Sequence, residues 1–366
     1  MPMLDSFHAA FPAISQEPPL APRLPFVDPH HHLFAEPDHP YFRQPPSEAH
    51  KLYIGRVATA GFSGGYLPED FVRESQGFHR VTSVYVEAES FYDKSAPHHL
   101  RPVGETQAVS AMGAKWGLCR GIVALVDFNL SLAEVKEVIA AHAQAVSTSE
   151  CSLVGVRLRN NTLSPNWAKK LLRSKETADI CRWLGSMGLV VDVLVDHFEL
   201  THFAALAANT PDTRFVLNHA GMPFRAGLRG EELDQVWEAW RKGMRTVAGF
   251  PNVMLKFGGF GLGLFGFQKG EPYSSIQAAA MMKPWFDETR LLFHGRMMFE
   301  SNFPMDKGLA SYGNIWNAFM RLCKDVPLAE RADLFFECAN RTYNLKLDKR
   351  QASEFFIPDL ETKSAL

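Results

Sequence analysis

Eight short apolar runs of strand length constrain the fold of this chain more than any other feature of its sequence. They are rich in Val, Leu and Phe, and many lead directly into a polar or glycine-containing turn. Continuous apolar runs of this length are typical of strands that are buried on both faces, as in parallel sheets. We therefore predict eight parallel strands, within residues 25–29, 83–87, 121–127, 153–158, 189–195, 215–218, 253–257 and 297–300.

Stretches with helical periodicity separate most of these runs, and together they predict the architecture. They lie at residues 131–145, 167–187, 198–208, 231–247, 312–323 and 328–345. Alternating strands and helices in these numbers favour an α/β fold of the (β/α)8 TIM barrel type in a single domain. A doubly wound sheet is disfavoured, because no GxGxxG turn follows a predicted strand. We predict an N-terminal arm at residues 1–23, the barrel at 24–345 and a C-terminal tail at 346–366.

Two loop segments are expected at the catalytic face of such a barrel. Residues 34–79, between the first two predicted strands, are aromatic and rich in Pro and Gly, which is typical of a lid or a substrate wall. Residues 258–263 follow the seventh run and consist mainly of glycine. We predict that this second segment is a mobile loop over the mouth of the barrel.

Composition excludes several classes of partner. The 38 Lys and Arg against 40 Asp and Glu give a formal net charge of −2 with both signs scattered, so neither nucleic acid nor a membrane surface is expected to bind. No apolar stretch is long enough to span a bilayer, and no secretory signal is visible. The five cysteines lack CxxC spacing, which favours reduced thiols in the cytoplasm. The expected partner is a small molecule, and the sequence leaves a homo-oligomer open.

The histidines at predicted strand ends carry the clearest chemical signal. His30 and His32 lie at the end of the first strand, two residues apart, so their side chains can point to one ion or one substrate oxygen. His197 and His219 end two later strands. The alternatives are a surface cluster without a function for the first pair and satisfied core histidines for the other two. Of those two, His219 is the stronger candidate, because small residues and a proline follow it.

These motifs together resemble the amidohydrolase superfamily. The resemblance rests on His-x-His at residues 30–32, His-Ala-Gly-Met-Pro at 219–223, and Arg-Met-Met-Phe-Glu-Ser-Asn-Phe-Pro at 296–304. Further matches at residues 66–71, 155–157, 255–259 and 339–343 occur in the expected order. The most similar branch contains 2-pyrone-4,6-dicarboxylate lactonase and related lactonases. The resemblance implies a TIM barrel with a hydrolytic site at the carboxyl ends of its strands.

The resemblance also implies roles for individual residues. His30 and His32 would be metal or substrate ligands, and His219 would be a third ligand or would polarise the scissile carbonyl. The family has a water-activating Asp at the position of Asn302, and an amide cannot accept a proton at neutral pH. The missing base could be a histidine or a nearby carboxylate, or the chain could have kept binding and lost hydrolysis. The candidate carboxylates are Glu300, Asp306 and Glu87.

Basic residues at other strand ends predict a carboxylated substrate. Arg157 and Arg159 follow the fourth strand on one face, and arginine binds carboxylates in a bidentate manner. The alternative for both is a salt bridge at the top of the barrel. Lys256, His197 and Glu87 are further candidates for substrate contact.

The function expected from these observations is ring opening of a small carboxylated lactone, or hydrolysis of a related ester or amide. Three His ligands suit Zn²⁺ or another divalent metal, although a metal-free site remains open. One alternative is a non-oxidative decarboxylase or hydratase of an aromatic or unsaturated acid on the same barrel. The other is a barrel that binds its ligand without catalysis.

Overall fold

The computed structural model describes residues 16–34, 47–57, 65–159, 165–268 and 270–358. Within them, eight parallel strands form one sheet in which each strand pairs with the next along the chain. Each strand overlaps one of the eight predicted runs, so the predicted barrel is confirmed. The strands are β1 Phe26–His31, β2 Arg80–Val86, β3 Gly121–Leu125, β4 Ser152–Arg159, β5 Val190–Leu194, β6 Phe215–Leu217, β7 Val253–Phe257 and β8 Met297–Phe299.

The first strand and the segment after the last strand close the barrel at its carboxyl edge. Asn302 N donates to His30 O over 2.9 Å, and His32 N donates to Phe303 O over 2.8 Å. An isolated parallel bridge joins His31 and Phe303 at the same place. The two ends of the sheet therefore meet among the residues that the sequence singles out as candidate ligands.

Helices cover the outside of the sheet. The predicted helical stretches are confirmed, and two of them are divided. Residues 167–187 form two helices because Ser174 caps the second one by accepting from Thr177 N, and residues 328–345 form two α-helices joined by a π-helical turn at Asp333–Glu337. Four of the helices were not predicted (α1, α2, α3 and α9). The helices are α1 Glu48–Ile54, α2 Pro68–Glu74, α3 Val103–Trp116, α4 Leu132–Val146, α5 Pro165–Leu172, α6 Lys175–Ser186, α7 Leu200–Asn209, α8 Glu231–Ala248, α9 Ser275–Leu292, α10 Tyr312–Leu322, α11 Leu328–Ala332 and α12 Cys338–Thr342.

The described part of the N-terminal arm is docked on the barrel. Glu17 N and Leu20 N donate to the side-chain oxygens of Asn314 and Asn317 on α10, over 2.9 Å each. Asn317 Nδ2 donates in return to Pro18 O over 2.9 Å. These contacts explain why α10 is buried along most of its length although it is an outer helix. Residues 1–15 of the predicted arm lie outside the described residues.

The two predicted loop segments differ in outcome. In the described parts of 34–79, Phe34 pairs with Tyr66 in a short bridge, and Tyr53 of α1 lies on the wall of the large cavity. The prediction of a mobile loop at 258–263 is wrong. Phe260 is fully buried among aromatic rings. A Cβ added to any of the four glycines would overlap another part of the chain, namely Glu300, His219, Asp306 and Gly55 in sequence order.

Other features of the described chain agree with the expectations from composition. All five cysteines are free, buried thiols, as predicted. None of the helices in the described ranges combines the length and apolarity that a bilayer crossing requires. The predicted C-terminal tail folds back in its described part, where the Phe355 side chain is buried and its carbonyl faces Arg331.

Candidate active site

A cavity of about 750 Å³ opens at the carboxyl ends of the strands. In a TIM barrel this end carries the catalytic residues, because the loops after the strands converge there. Most of the predicted site residues lie on the cavity wall or directly behind it. Those on the wall are His32, Glu87, Arg157, Arg159, His219 and Asn302.

A buried carboxylate joins two of the candidate histidines beneath the cavity. Glu300 Oε2 lies 2.6 Å from His30 Nδ1, and Glu300 Oε1 lies 2.7 Å from His219 Nδ1. The same Oε1 accepts from the backbone N of His219 over 2.9 Å. Lys256 Nζ is also near His30 Nδ1, at 3.5 Å. The shorter contact to a carboxylate is the stronger one, so Nδ1 of both imidazoles carries the proton.

His32 is oriented in the same way by the backbone. Its Nδ1 donates to Val86 O over 2.9 Å, which places the proton on Nδ1. The His30 ring centroid lies 4.9 Å from that of His32 and 4.7 Å from that of His219. Three neighbouring imidazoles therefore have Nε2 as their free nitrogen. His30 Nε2 is buried and has no hydrogen-bond partner.

The surroundings keep these imidazoles neutral. Burial lowers the pKa of His30 and His32 well below the ordinary value, and the cations Lys256 and Arg157 lower them further. Burial also lowers the pKa of His219, although Glu300 acts in the opposite direction. A neutral imidazole with its proton on Nδ1 offers a lone pair at Nε2. The cluster can therefore accept a cation or a proton donor at Nε2, but it cannot donate a hydrogen bond there.

The donor set fits a divalent ion. Among the described residues, one group brings three metal-binding side chains within 4.8 Å of one another, namely His30, His219 and Glu300. Ligands on a tetrahedral zinc ion lie roughly 3.3 Å apart, given metal–ligand bonds of about 2.0–2.1 Å. The 2.6 and 2.7 Å contacts of Glu300 are shorter than that, and the one between Oε1 and His219 Nδ1 is a hydrogen bond. Glu300 fits the role of a carboxylate that orients histidine ligands from behind.

Unusual backbone conformations hold the histidine cluster in place. His219 and Asn302 both have left-handed φ angles, of 52° and 51°, which are uncommon outside glycine and occur often at functional sites. Gly259 has φ 75°, and a Cβ added to it would lie 2.5 Å from His219 Nδ1. Glycine at this position is required by the close approach of the chain to the His219 ring.

The amidohydrolase family matches residues 27–345 of the chain. The chain belongs to this family. The match covers most of the sequence, and it confirms the predicted superfamily and the predicted class of enzyme, a hydrolase.

Individual relatives of this amidohydrolase are more distant. It is 29% identical over 287 residues to an uncharacterised protein of Sinorhizobium fredii. The aligned region is 76% of this chain and 86% of the relative. It is 29% identical over 175 residues to L-fucono-1,5-lactonase of Burkholderia multivorans, which covers 46% of this chain and 57% of the relative. An amidohydrolase of Burkholderia multivorans, solved with bound zinc, has the same fold with a TM-score of 0.66 at 20% identity, over 87% of this chain and 99% of that one.

The three carboxylates considered as the missing base differ in their access to the cavity. Glu300 is occupied by two imidazoles. Asp306 lies behind Asn302, whose Nδ2 donates to Asp306 Oδ1 over 2.8 Å, and burial raises the pKa of Asp306 well above the ordinary value. Glu87 is on the cavity wall, and both of its carboxylate oxygens lack hydrogen-bond partners. Of the three candidates, only Glu87 can reach a water molecule in the cavity directly.

The two arginines of this amidohydrolase face the cavity and also form ion pairs. Arg157 Nη1 lies 3.5 Å and Arg159 Nε lies 3.3 Å from Glu87 Oε1. Arg159 pairs in addition with Glu89. Arg157 and Arg159 therefore form the salt bridge considered as the alternative, and both also line the cavity where a ligand would bind. The Nε atom of Arg157 is buried without a partner and could still donate.

Lys256 and His197 are placed away from the cavity wall in the described structure. Lys256 is fully buried and donates to Asp192 Oδ2 over 2.6 Å, while Tyr343 donates to Asp192 Oδ1 over 2.7 Å. His197 Nδ1 accepts from Phe224 N over 3.1 Å, so it is a satisfied core histidine. Neither position agrees with the predicted contact to substrate, because a strand-end position does not reveal whether a long side chain points to the cavity or down into the barrel.

Proposed function

We propose that this amidohydrolase opens the ring of a small carboxylated lactone and that His30, His32 and His219 hold a divalent metal, with zinc as the first candidate. The observation that carries the proposal is the bridging carboxylate of Glu300. It accepts a hydrogen bond from His219 Nδ1 and lies 2.6 Å from His30 Nδ1, so that the buried Nε2 of His30 has no partner, and the ring centroids of His219 and His32 lie 4.7 and 4.9 Å from that of His30. A buried lone pair without a donor is costly, and a cation bound at His30 Nε2 would satisfy it.

The metal would supply Lewis acidity toward the lactone carbonyl and would lower the pKa of a coordinated water. Glu300 keeps both imidazoles in the required tautomer, as outer carboxylates do in zinc sites. The left-handed backbone at His219 and the glycine beside it restrict the ring to one orientation. The protein thus holds the ligand nitrogens in position before substrate arrives.

Asn302 and Glu87 are proposed to handle the attacking water. Asn302 Nδ2 is occupied by Asp306, so its amide oxygen is the group left to accept a hydrogen bond from water in the cavity. The amide cannot take the proton itself. Glu87 has carboxylate oxygens without hydrogen bonds on the same wall, and we assign the proton transfer to it.

Arg157 and Arg159 are proposed to bind the substrate carboxylate. Both line the cavity beside Glu87 and place guanidinium groups where a planar anion can bind in a bidentate manner. The cavity volume of about 750 Å³ accommodates a ligand of one or two rings. A small lactone that carries a carboxylate matches both the volume and the charge.

The experiment combines metal analysis with a substrate panel. Protein purified without chelators is analysed for metal, and ring opening is measured on sugar lactones and on lactones with one or two carboxylates. We expect bound zinc and ring opening, with His219→Ala losing both and Glu87→Gln losing ring opening while it keeps the metal. His142→Gln is the control, because His142 is a buried histidine on α4 outside the cavity wall.

Several outcomes would overturn the proposal. Unchanged ring opening in His219→Ala would remove the histidine cluster from the mechanism. Release of CO2, or hydration without ring opening, would assign the barrel to the decarboxylase or hydratase alternative. If Asn302→Asp hydrolyses a lactone that the wild-type protein does not turn over, the natural chain binds its ligand without catalysis.

A further inference from the structure

A single carboxylate oxygen organises the turn that carries Glu87. Glu105 lies on α3, is buried, and is not among the residues of the cavity wall. Its Oε1 accepts from Tyr85 OH over 2.8 Å, from Ala88 N over 2.9 Å and from Ser90 N over 3.0 Å. Two backbone donors of the turn and one hydroxyl of the preceding strand β2 therefore depend on one acceptor atom that belongs to another element.

The turn needs such support because its backbone is not relaxed. Glu89 and Phe91 have φ angles of 58° and 57°, in the left-handed region that non-glycine residues rarely adopt. Strained residues of this kind persist only where the surrounding structure determines the conformation. The hydrogen bonds from Ala88 N and Ser90 N to Glu105 flank Glu89 and provide this constraint.

The turn also sets the charges at the cavity wall. Glu87 contacts Arg157 and Arg159, and Glu89 contacts Arg159. A movement of the turn would therefore shift the proposed base and would leave both guanidinium groups without their carboxylate partners. The distances between Glu87 and the two guanidinium groups determine how a substrate carboxylate would bind there.

We propose that Glu105 is a positioning residue, which acts on substrate binding and water activation by fixing the turn of residues 87–90. This inference rests on the proposed function for its consequence in catalysis, whereas its structural part stands alone. Glu105 does not touch the cavity, so its effect passes through the turn.

The charge state of Glu105 indicates which substitution is conservative. Burial and the neighbouring carboxylate of Glu87 together raise its pKa to about 8. Glu105 therefore carries a proton at neutral pH, and a glutamine has the same shape and the same neutral charge. The glutamine oxygen can accept the same three donors, whereas alanine removes the carboxyl group that accepts them.

The test compares Glu105→Ala, Glu105→Gln and the control Thr106→Val. Thr106 is the next residue on α3 and bonds His142 Nδ1 over 2.8 Å, so its loss weakens the contact between α3 and α4 without touching the turn. Hydrogen–deuterium exchange of the segment 87–92 is measured in full-length protein, together with the melting temperature, kcat and KM. We expect faster exchange of this segment in Glu105→Ala alone.

Catalysis should follow the same order. We expect kcat/KM of Glu105→Ala to fall by about 100-fold, since displacement of reacting groups by about 1 Å can cost that much. Glu105→Gln and Thr106→Val should stay within about 3-fold of wild type, because the turn keeps its acceptor in both. Equal exchange in Glu105→Ala and Thr106→Val would overturn the positioning role. If wild type opens no lactone, the proposed function fails, and the exchange data still decide the role of Glu105.

Discussion

Replacing Glu300 with glutamine tests the central feature of the site. The wild-type carboxylate accepts two N–H groups from His219 through Oε1, and its Oε2 lies 2.6 Å from His30 Nδ1. In the variant, the amide oxygen can keep the two donors of His219. The amide NH2 then faces His30 Nδ1, and because NH2 only donates, His30 must move its proton to Nε2. That tautomer no longer offers Nε2 as a ligand.

The magnitude follows from the loss of one correctly oriented ligand. Mutation of a residue that orients a metal ligand costs about 10–100-fold in metal affinity. Here the change also reverses the tautomer of one of three ligands, so we expect the upper end of that range. A 100-fold loss corresponds to about 2.7 kcal/mol, because each factor of ten is about 1.4 kcal/mol.

The assay is competition for zinc against a chromophoric chelator, with thermal unfolding at fixed zinc as an independent measure. A ligand present at 100 times its dissociation constant stabilises the folded state by about 2.7 kcal/mol, so the variant should lose most of the zinc-dependent rise in melting temperature. Glu300→Asp retains the charge but shortens the side chain, and its affinity should fall between the two. Wild-type zinc affinity in Glu300→Gln would refute the assigned tautomers.

Two further predictions concern other parts of the barrel. Gly259→Ala should reduce ring opening by at least about 100-fold, because its Cβ would lie 2.5 Å from His219 Nδ1 and displace the ring. His142→Gln should remove one cause of the pH dependence of the free energy of unfolding. Burial lowers the pKa of His142 from 6.5 to about 4, so the folded state disfavours protonation of this imidazole. In wild type this contribution is complete above pH 6.5 and is lost as the pH falls toward 4, by about 3 kcal/mol in total at about 1.4 kcal/mol per pKa unit.

Each of these predictions has a control. Gly117 also has a left-handed φ, of 65°, but no atom lies within 4 Å of an added Cβ. Gly117→Ala therefore has the same backbone strain without the steric overlap, and it should keep its ring-opening activity. If Gly117→Ala and Gly259→Ala lose equal activity, the cause is backbone strain and not the overlap with His219. For His142, urea unfolding is compared at pH 7.5 and pH 5, and an identical difference in wild type and His142→Gln would remove His142 as the cause.

The sequence predicted the strands better than the helices. Every strand was found because burial on both faces requires an uninterrupted apolar run, which is visible in one segment by itself. The helix α3 was not predicted, since its sequence Val-Gly-Glu-Thr-Gln-Ala-Val-Ser contains glycine and small polar residues without a clear apolar stripe. The helix α9 was not predicted either, and it contains Pro284, a residue that usually argues against a helix interior.

For the site, local motifs identified the histidines but not their connections. Glu300 was named as a possible base, whereas the structure makes it the hydrogen-bond partner of His219 and places it 2.6 Å from His30 Nδ1. That role depends on β6 and β8 being brought to β1, and no local pattern encodes the resulting distances. Glu105 was missed for the same reason, because a glutamate in the first turn of a helix is usually solvated.

The seam between the first strand and the residues after the last strand links the chemistry to the assembly of the whole chain. The hydrogen bonds from Asn302 N to His30 O and from His32 N to Phe303 O join segments some 270 positions apart in the chain. No half-barrel fragment can contain both sides of this junction, so an isolated N-terminal piece should show none of the metal affinity of the intact protein. A metal bound by the histidine cluster would link the end of β1, which carries His30 and His32, to the segment after β6, which carries His219, and would therefore stabilise the closed barrel relative to open forms of the chain.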